Sequence, residues 1–319
     1  MVSTIEPLLF ELNTAVGQAK DGTLPEQARM EALQAATKLA AVLETPEDAL
    51  LKIAYSPAIC MAIRCGFQMG IVSVLSEKEE TSAEELASRS GANEVLIRRL
   101  LRPLTAAGHV AKKGPSIYGP TAIYRQLHQL VTEGMVKFIW DLGMSSITAA
   151  PHWHLNPTDA TNGPFQAGHK TDLDMFGFAL ANKERFWDDI NTFFEGDRGS
   201  RPHWGEWFPV EDKLLDNNLL RPDAPIIVDV GGGRGHDIAG FRKHFSDLPG
   251  RLVLQDQQPV LDSIVELNTK IEKRALDFFN EAPVPGTRIY FLKFIMHDWS
   301  SRSSSSRTKD VLCCRLNGI

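Results

Sequence analysis

The residues with the most chemical potential lie after position 225. Asp229, Gly231, Gly233 and Gly235 spell D-x-G-x-G-x-G between the β-branched run PIIVDV and the helix-forming run IAGFRKHF. Glycines at that spacing let a backbone approach a ligand with no side chain in the way. A dinucleotide fingerprint needs G-x-G-x-x-G, and the position that would have to be the last glycine is His236. A P-loop needs a Gly-Lys-Ser/Thr ending, which Arg234-Gly235-His236 does not supply. The loop instead lies at the carboxyl end of a strand, where doubly wound sheets bind ligands.

Two further carboxylates extend that site. Asp256 closes the next apolar run, RLVLQD, where it can accept both hydroxyls of a ribose or serve as a strand-end turn or helix cap. Asp277 and Phe278, in ALDFF, suit an adenine: the carboxylate takes the exocyclic amine and the ring packs on the base. Alone, that pair is a weak signal. Together these residues describe an adenosine site without a phosphate-gripping side chain. On residue type alone His297 is a histidine at a strand end, equally a cap, a turn residue or a base. Asp298 and Trp299 read as its structural neighbours.

The elements that must position these groups follow from pattern. From residue 225, strand, glycine turn, helix and strand alternate through PIIVDVGGGRGHD, IAGFRKHFSDLPG and RLVLQD. A third short strand or turn is expected in ALDFFNEAPVPG and a fourth strand in TRIYFLKFIMHDW. That alternation predicts a parallel sheet with right-handed crossovers. Upstream, the first 135 residues read as helical. Thr45 caps and Pro46 opens one helix, and Thr81 with Glu84 reads as a capping box for another that Gly91 stops. NEVLIRRLLRPLTAAGHV follows as the second helix of a helix-turn-helix, and AKKGPSIYGPT as a short wing. Between the two regions, Phe186, Ile190, Phe193 and Phe194 fall near one side of an amphipathic helix. They form either core or an aromatic substrate wall.

Composition narrows the function. The 319 residues carry 34 Lys and Arg against 40 Asp and Glu, a formal charge of −6, with 43% hydrophobic residues. Such a chain buries a substantial core, and a mildly acidic balance argues against the nucleic-acid backbone as a main partner. Arg98, Arg99, Arg102, Lys112 and Lys113 form a modest basic cluster, but Leu96, Ile97, Leu100 and Leu101 leave that helix little exposed face, so the winged helix reads as a packing or dimerisation module. No apolar run is expected to approach the ~18 to 20 residues of a membrane span, and the N-terminus reads as having no basic n-region or cleavage signature. The four cysteines match neither a zinc site nor a disulfide framework. A soluble, cytoplasmic protein with no metal site, no membrane and no nucleic-acid partner is expected.

The ordered set of motifs, from the N-terminal helices and wing through NPTDATNGPFQ to VDVGGGRGHD, LVLQDQQP, LDFF and FLKFIMHDWS, resembles the S-adenosylmethionine-dependent O-methyltransferases of the plant caffeate and fungal secondary-metabolite type. The resemblance implies an α/β fold. A Rossmann-like methyltransferase domain (136–319) would follow an α-helical winged-helix dimerisation domain (1–135). It implies S-adenosyl-L-methionine as cofactor, with Gly231, Gly232 and Gly233 at its methionine part, Asp256 at the ribose, Asp277 and Phe278 at the adenine, and Lys293 closing the site. It places the general base at His297 and implies a homodimer acting on a small aromatic or polyketide-like molecule with a phenolic or enolic hydroxyl. A pericyclase or dehydratase using the cofactor without methyl transfer, and an inactive dimerising protein, are the alternatives.

After Trp299 that family continues with acidic residues, a helix and three more strands. This chain reads SSRSSSSRTKDVLCCRLNGI, with six serines in the seven residues from Ser300 to Ser306. The resemblance therefore predicts a methyltransferase domain truncated after its fourth strand. The change of composition at Ser301 suggests a shifted reading frame, an unspliced intron or a degenerate gene.

Overall fold

The structure, a computed structural model, describes residues 2–20, 24–153, 162–196, 199, 201–215 and 224–296. His297, the Ser-rich tail and most of NPTDATNGPFQ lie outside the described residues. The chain forms two compact units, Met1–Ala62 and Ile63–Ile319.

In the first unit, α1 (Val2–Lys20) and α2 (Glu26–Leu43) pair through small or apolar residues such as Leu8, Ala15 and Ala35. The third helix, α3 (Pro46–Gln68), begins as the sequence predicts: Thr45 Oγ1 accepts the amide of Asp48 at 3.2 Å. One expectation is corrected here. Lys52 and Arg64 interrupt the apolar residues of α3, yet the 23-residue helix is long and apolar enough to cross a membrane by length and composition alone. Leu50, Leu51, Ile53 and Tyr55 on it are exposed.

The second unit opens with α4 (Ile71–Glu77), β1 (Thr81–Ser82), α5 (Ala83–Ser90), α6 (Glu94–Ala106), β2 (Val110–Gly114), β3 (Ile117–Pro120) and α7 (Ala122–Gln126). The three strands form a small antiparallel sheet in the order β1-β3-β2, the expected wing. The cap of α5 falls one residue later than the sequence suggests. Ser82 Oγ accepts the amide of Glu85 at 3.0 Å, because Thr81 is held in β1 and spends its hydroxyl on the Glu85 carboxylate. Gly91 ends the helix at φ +69°, as predicted.

Next come α8 (Leu130–Lys137), a π-helical turn (Phe138–Gly143), α9 (Met144–Ala149), α10 (Pro164–His169), α11 (Met175–Ala181) and α12 (Lys183–Gly196). A β-carbon on Gly134 would stand 2.9 Å from Thr192, so that glycine is what lets α8 lie close against α12. Phe186 and Ile190 bury one face of α12 against Leu142 and Ala179.

After α13 (Trp204–Trp207) and α14 (Val210–Leu214) the α/β layer begins: β4 (Pro225–Val230), α15 (His236–His244), β5 (Arg251–Asp256), α16 (Gln258–Asp262), β6 (Ile271–Ala275) and β7 (Ile289–Phe291). The four strands form a parallel sheet in the order β6-β5-β4-β7. Every residue of β4 is buried, as a central parallel strand requires. Ile227, Leu252 and Leu254 pack with Ile238 and Phe241 on one face, and Val228, Val230 and Val253 with Leu276 on the other. The third strand ends at Ala275, the first residue of ALDFF, and its sequence IEKRA carries charge because it pairs only with β5 among the described residues.

Candidate functional site

The site grows from the end of β4. Three glycines there hold positive φ, Gly231 at +70°, Gly233 at +60° and Gly235 at +85°, a region that side-chain-bearing residues avoid. Gly231 donates its amide to the Gln255 carbonyl at 2.8 Å, which seats the loop on the end of β5. Gly232 has another reason to be glycine: a β-carbon would meet the Asp229 carboxyl at 2.5 Å and Leu254 at 2.6 Å. Asp229 below it is buried, and its Oδ2 has no partner among the described residues. Burial, with the nearby Asp237 and Asp256 carboxylates, pushes its carboxyl well above the usual range.

Asp256 faces this loop across the strand ends. Its Oδ2 accepts the Gly233 amide at 2.8 Å and its Oδ1 accepts the Gln257 amide at 2.7 Å. Burial pushes its carboxyl up to about 6, against the pull of those two N–H groups. Each oxygen keeps lone-pair capacity for a second donor, as two vicinal hydroxyls require.

The loop ends in the first turn of α15, where Asp237 sits buried beside the positive helix end. Its Oδ2 accepts from Lys293 Nζ at 2.9 Å and from His236 Nε2 at 2.9 Å. Burial alone would raise this carboxyl, but the hydrogen bonds and charges of His236 and Lys293 hold it well below the usual range. Lys293 follows β7, and next to it Phe294 takes the left-handed conformation at φ +57°. Ile295 then lies against Gly231, 2.5 Å from where a β-carbon there would stand. Strain of that kind, about 1–3 kcal/mol, persists only where the surroundings impose it.

These groups line one open cleft. Its floor is the glycine loop with Asp229, Asp256 and Lys293. Its opposite wall is α11 and α12, through Phe176, Trp187, Ile190, Asn191 and Phe194. The two readings of the aromatic helix both apply, to different residues: Phe186 is core, Phe193 stacks on Phe138 at 4.4 Å, and Phe194 faces the cleft.

Of the residues singled out by sequence, the cleft brings together Gly231, Gly232, Gly233, Asp256, Phe278 and Lys293. Asp277 is not on its wall. That carboxylate accepts the Phe279 amide at 3.0 Å and the Asn280 side-chain amide at 2.7 Å, closing the turn after β6. Sequence reasoning passed over Asp237 and Arg234. An acid in the first turn of a helix was a usable signal for Asp237, but nothing local pointed to its partner Lys293.

A family model, the O-methyltransferase dimerisation domain, matches residues 51–129. The O-methyltransferase penC of Penicillium thymicola is 32% identical over 298 residues, 92% of this chain and 74% of that protein. The structure of the LepI complex with S-adenosylmethionine superposes with a TM-score of 0.80 at 26% identity, covering 93% of this chain and 77% of that one. The structure of a pericyclic reaction enzyme does so at 0.81 and 25% identity, covering 95% and 78%.

Proposed function

Because this chain belongs to the O-methyltransferase family, we propose that its cleft binds S-adenosylmethionine and that the protein methylates a phenolic or enolic hydroxyl of a small aromatic or polyketide-like molecule, in fungal secondary metabolism. The observation that carries this reading is the Asp256 carboxylate, tied to the Gly233 amide at the carboxyl ends of β4 and β5, opposite an aromatic wall.

The residues present fit the cofactor. The glycine loop leaves backbone where a β-carbon would collide, which suits close approach of a methionine moiety. Asp256 takes the ribose hydroxyls, and Phe278, backed by Val228, Val230 and Val253, offers a ring face to the base. Asp277, with its carboxylate engaged in its own turn, contributes at the adenine edge by shaping the loop that carries Phe278. Lys293 and Asp237 close the loop side of the cleft. Bound there, the cofactor supplies an electrophilic methyl group on a sulfonium.

The chain's own work is alignment and proton removal. Phe176, Trp187 and Phe194 orient a flat acceptor, which supplies much of the rate in an in-line displacement. His297 takes the acceptor's hydroxyl proton on an imidazole nitrogen, an assignment that rests on its place in the MHDW motif. An imidazole with a pKa near ~6.5 suits that step at neutral pH. The division into a dimerisation domain (1–135) and a methyltransferase domain (136–319) belongs to the same reading. So do a homodimer that uses the exposed apolar residues of α3, and a cytoplasmic location.

Calorimetry with S-adenosylhomocysteine tests the site. One molecule should bind per chain, and Asp256→Ala should weaken binding at least about tenfold. His297→Ala should lower methyl transfer by about 10²–10⁴-fold with cofactor affinity unchanged. Absence of binding would leave only a dimerising protein. The likeness to a pericyclic reaction enzyme supports a second reading, in which the cofactor assists a rearrangement or dehydration without transfer. Release of S-adenosylhomocysteine during turnover separates the two.

A further inference from the structure

Arg234 projects from the middle of the glycine loop, and its guanidinium reaches three side chains on two separate elements. Nη1 donates to Glu195 Oε1 at 3.2 Å and Nη2 to Asp188 Oδ1 at 2.5 Å, both on α12. Nε donates to Ser263 Oγ at 3.1 Å, and that hydroxyl donates to the Val260 carbonyl of α16 at 2.7 Å. The residue before it, Gly233, gives its amide to Asp256. One peptide step therefore separates the link to the proposed ribose-binding carboxylate from the link to the aromatic wall. On α12 the same helix carries Trp187, Ile190, Asn191 and Phe194 into the cleft.

We infer that Arg234 is a positioning residue that locks the acceptor wall on α12 to the cofactor loop, so that ordering the loop orders the wall. The inference rests on the cleft being an S-adenosylmethionine site. Its three arms are not equal. The Asp188 side chain is 89% exposed, so water and salt screen that pair, whereas Glu195 is 30% exposed and Arg234 itself only 14%. Glu195 is therefore the anchor on α12, with Ser263 fixing the plane of the guanidinium. A lysine at 234 would keep the charge and lose the fork that reaches several acceptors at once.

Hydrogen exchange across 183–196, followed with and without S-adenosylhomocysteine, reads this directly. In the wild-type chain the ligand should slow exchange of α12 by about fivefold or more. In Arg234→Gln it should do so by less than about twofold, with ligand affinity by calorimetry changed less than about fivefold. Glu195→Gln should follow Arg234→Gln, Asp188→Asn should follow the wild type, and Arg234→Lys should fall between. If Arg234→Gln fails to fold, Glu195→Gln carries the same comparison with the loop untouched. Equal protection of α12 in wild type and variant, or none in a wild-type chain that binds the ligand, overturns the clamp alone. A wild-type chain that does not bind S-adenosylhomocysteine overturns the reading of the site, and the clamp with it.

Discussion

Lys293 and Asp237 meet 2.9 Å apart at the mouth of the glycine loop, and the Asp237 side chain is only 7% exposed. The pair joins the segment after β7 to the first turn of α15. Asp237→Asn keeps the shape and removes the buried negative charge that faces the Lys293 ammonium, so unfolding stability should drop by about 2–3 kcal/mol in urea titrations. Because folding depresses this carboxyl, its contribution is complete above the unfolded value near ~4 and is lost as pH falls through the folded value. The stability gap between wild type and variant should therefore be constant above about pH 5 and narrow in acid. A gap that widens on acidification would contradict the assignment.

Asp256 should respond in the opposite sense. Its carboxyl is pushed up to about 6, so folding disfavours the charged form, and the unliganded protein gains stability from this group as pH falls below that value. Ligand hydroxyls prefer the ionised acceptor. The affinity for S-adenosylhomocysteine should therefore be flat above about pH 7 and weaken by up to about tenfold per unit below about pH 6. Isothermal titrations at pH 5, 6, 7 and 8 check this on a scale of about tenfold steps, and Asp256→Asn should flatten the profile.

Neighbouring glycines should behave differently on mutation. Gly232→Ala drives a methyl into Asp229 and Leu254, so it should cost about 2–4 kcal/mol and abolish ligand binding. Gly233→Ala meets nothing within 4 Å and suffers only from its φ of +60°, a cost of about 1 kcal/mol. Thermal melts with and without S-adenosylhomocysteine rank the two. A Gly232→Ala protein that melts and binds like the parent would remove the close-approach argument.

Phe193 and Phe194 offer a similar contrast. Phe193→Ala should lower stability by about 2–3 kcal/mol, since its ring stacks on Phe138 at 4.4 Å. Phe194→Ala should raise the KM for a phenolic acceptor by about tenfold and leave S-adenosylhomocysteine affinity unchanged. Steady-state kinetics in both substrates, beside a denaturation curve, shows which residue does which.

How far the sequence reveals this depends on how local each feature is. PIIVDV and the glycines after it are legible because a buried strand and positive-φ turns leave their marks in adjacent residues. Ser82 replaced Thr81 as a cap because the pairing of Thr81 with Tyr118 draws it into a sheet, which no local rule sees. IEKRA hid as a strand because β6, paired on one side only among the described residues, tolerates charge on exposed residues. Asp277 matches a binding motif and also closes a turn, since a short carboxylate two residues before a backbone amide readily accepts from it. The Arg234 and Lys293 pairings span 29 to 56 positions and leave no periodic trace.

The strand order also sets when the cleft can come into being. β4 pairs on one side with β5, its near neighbour in sequence, and on the other with β7, where Ile227 meets Ile289 across the whole intervening crossover. Closing that longer loop costs more entropy, so the β4–β5 pair is favoured to nucleate and β7 to dock afterwards. Only that late docking brings Lys293 to Asp237 and Ile295 to Gly231. During refolding, competence to bind a ligand should therefore trail the recovery of helical signal, and the ligand itself becomes a clock for the last step of assembly.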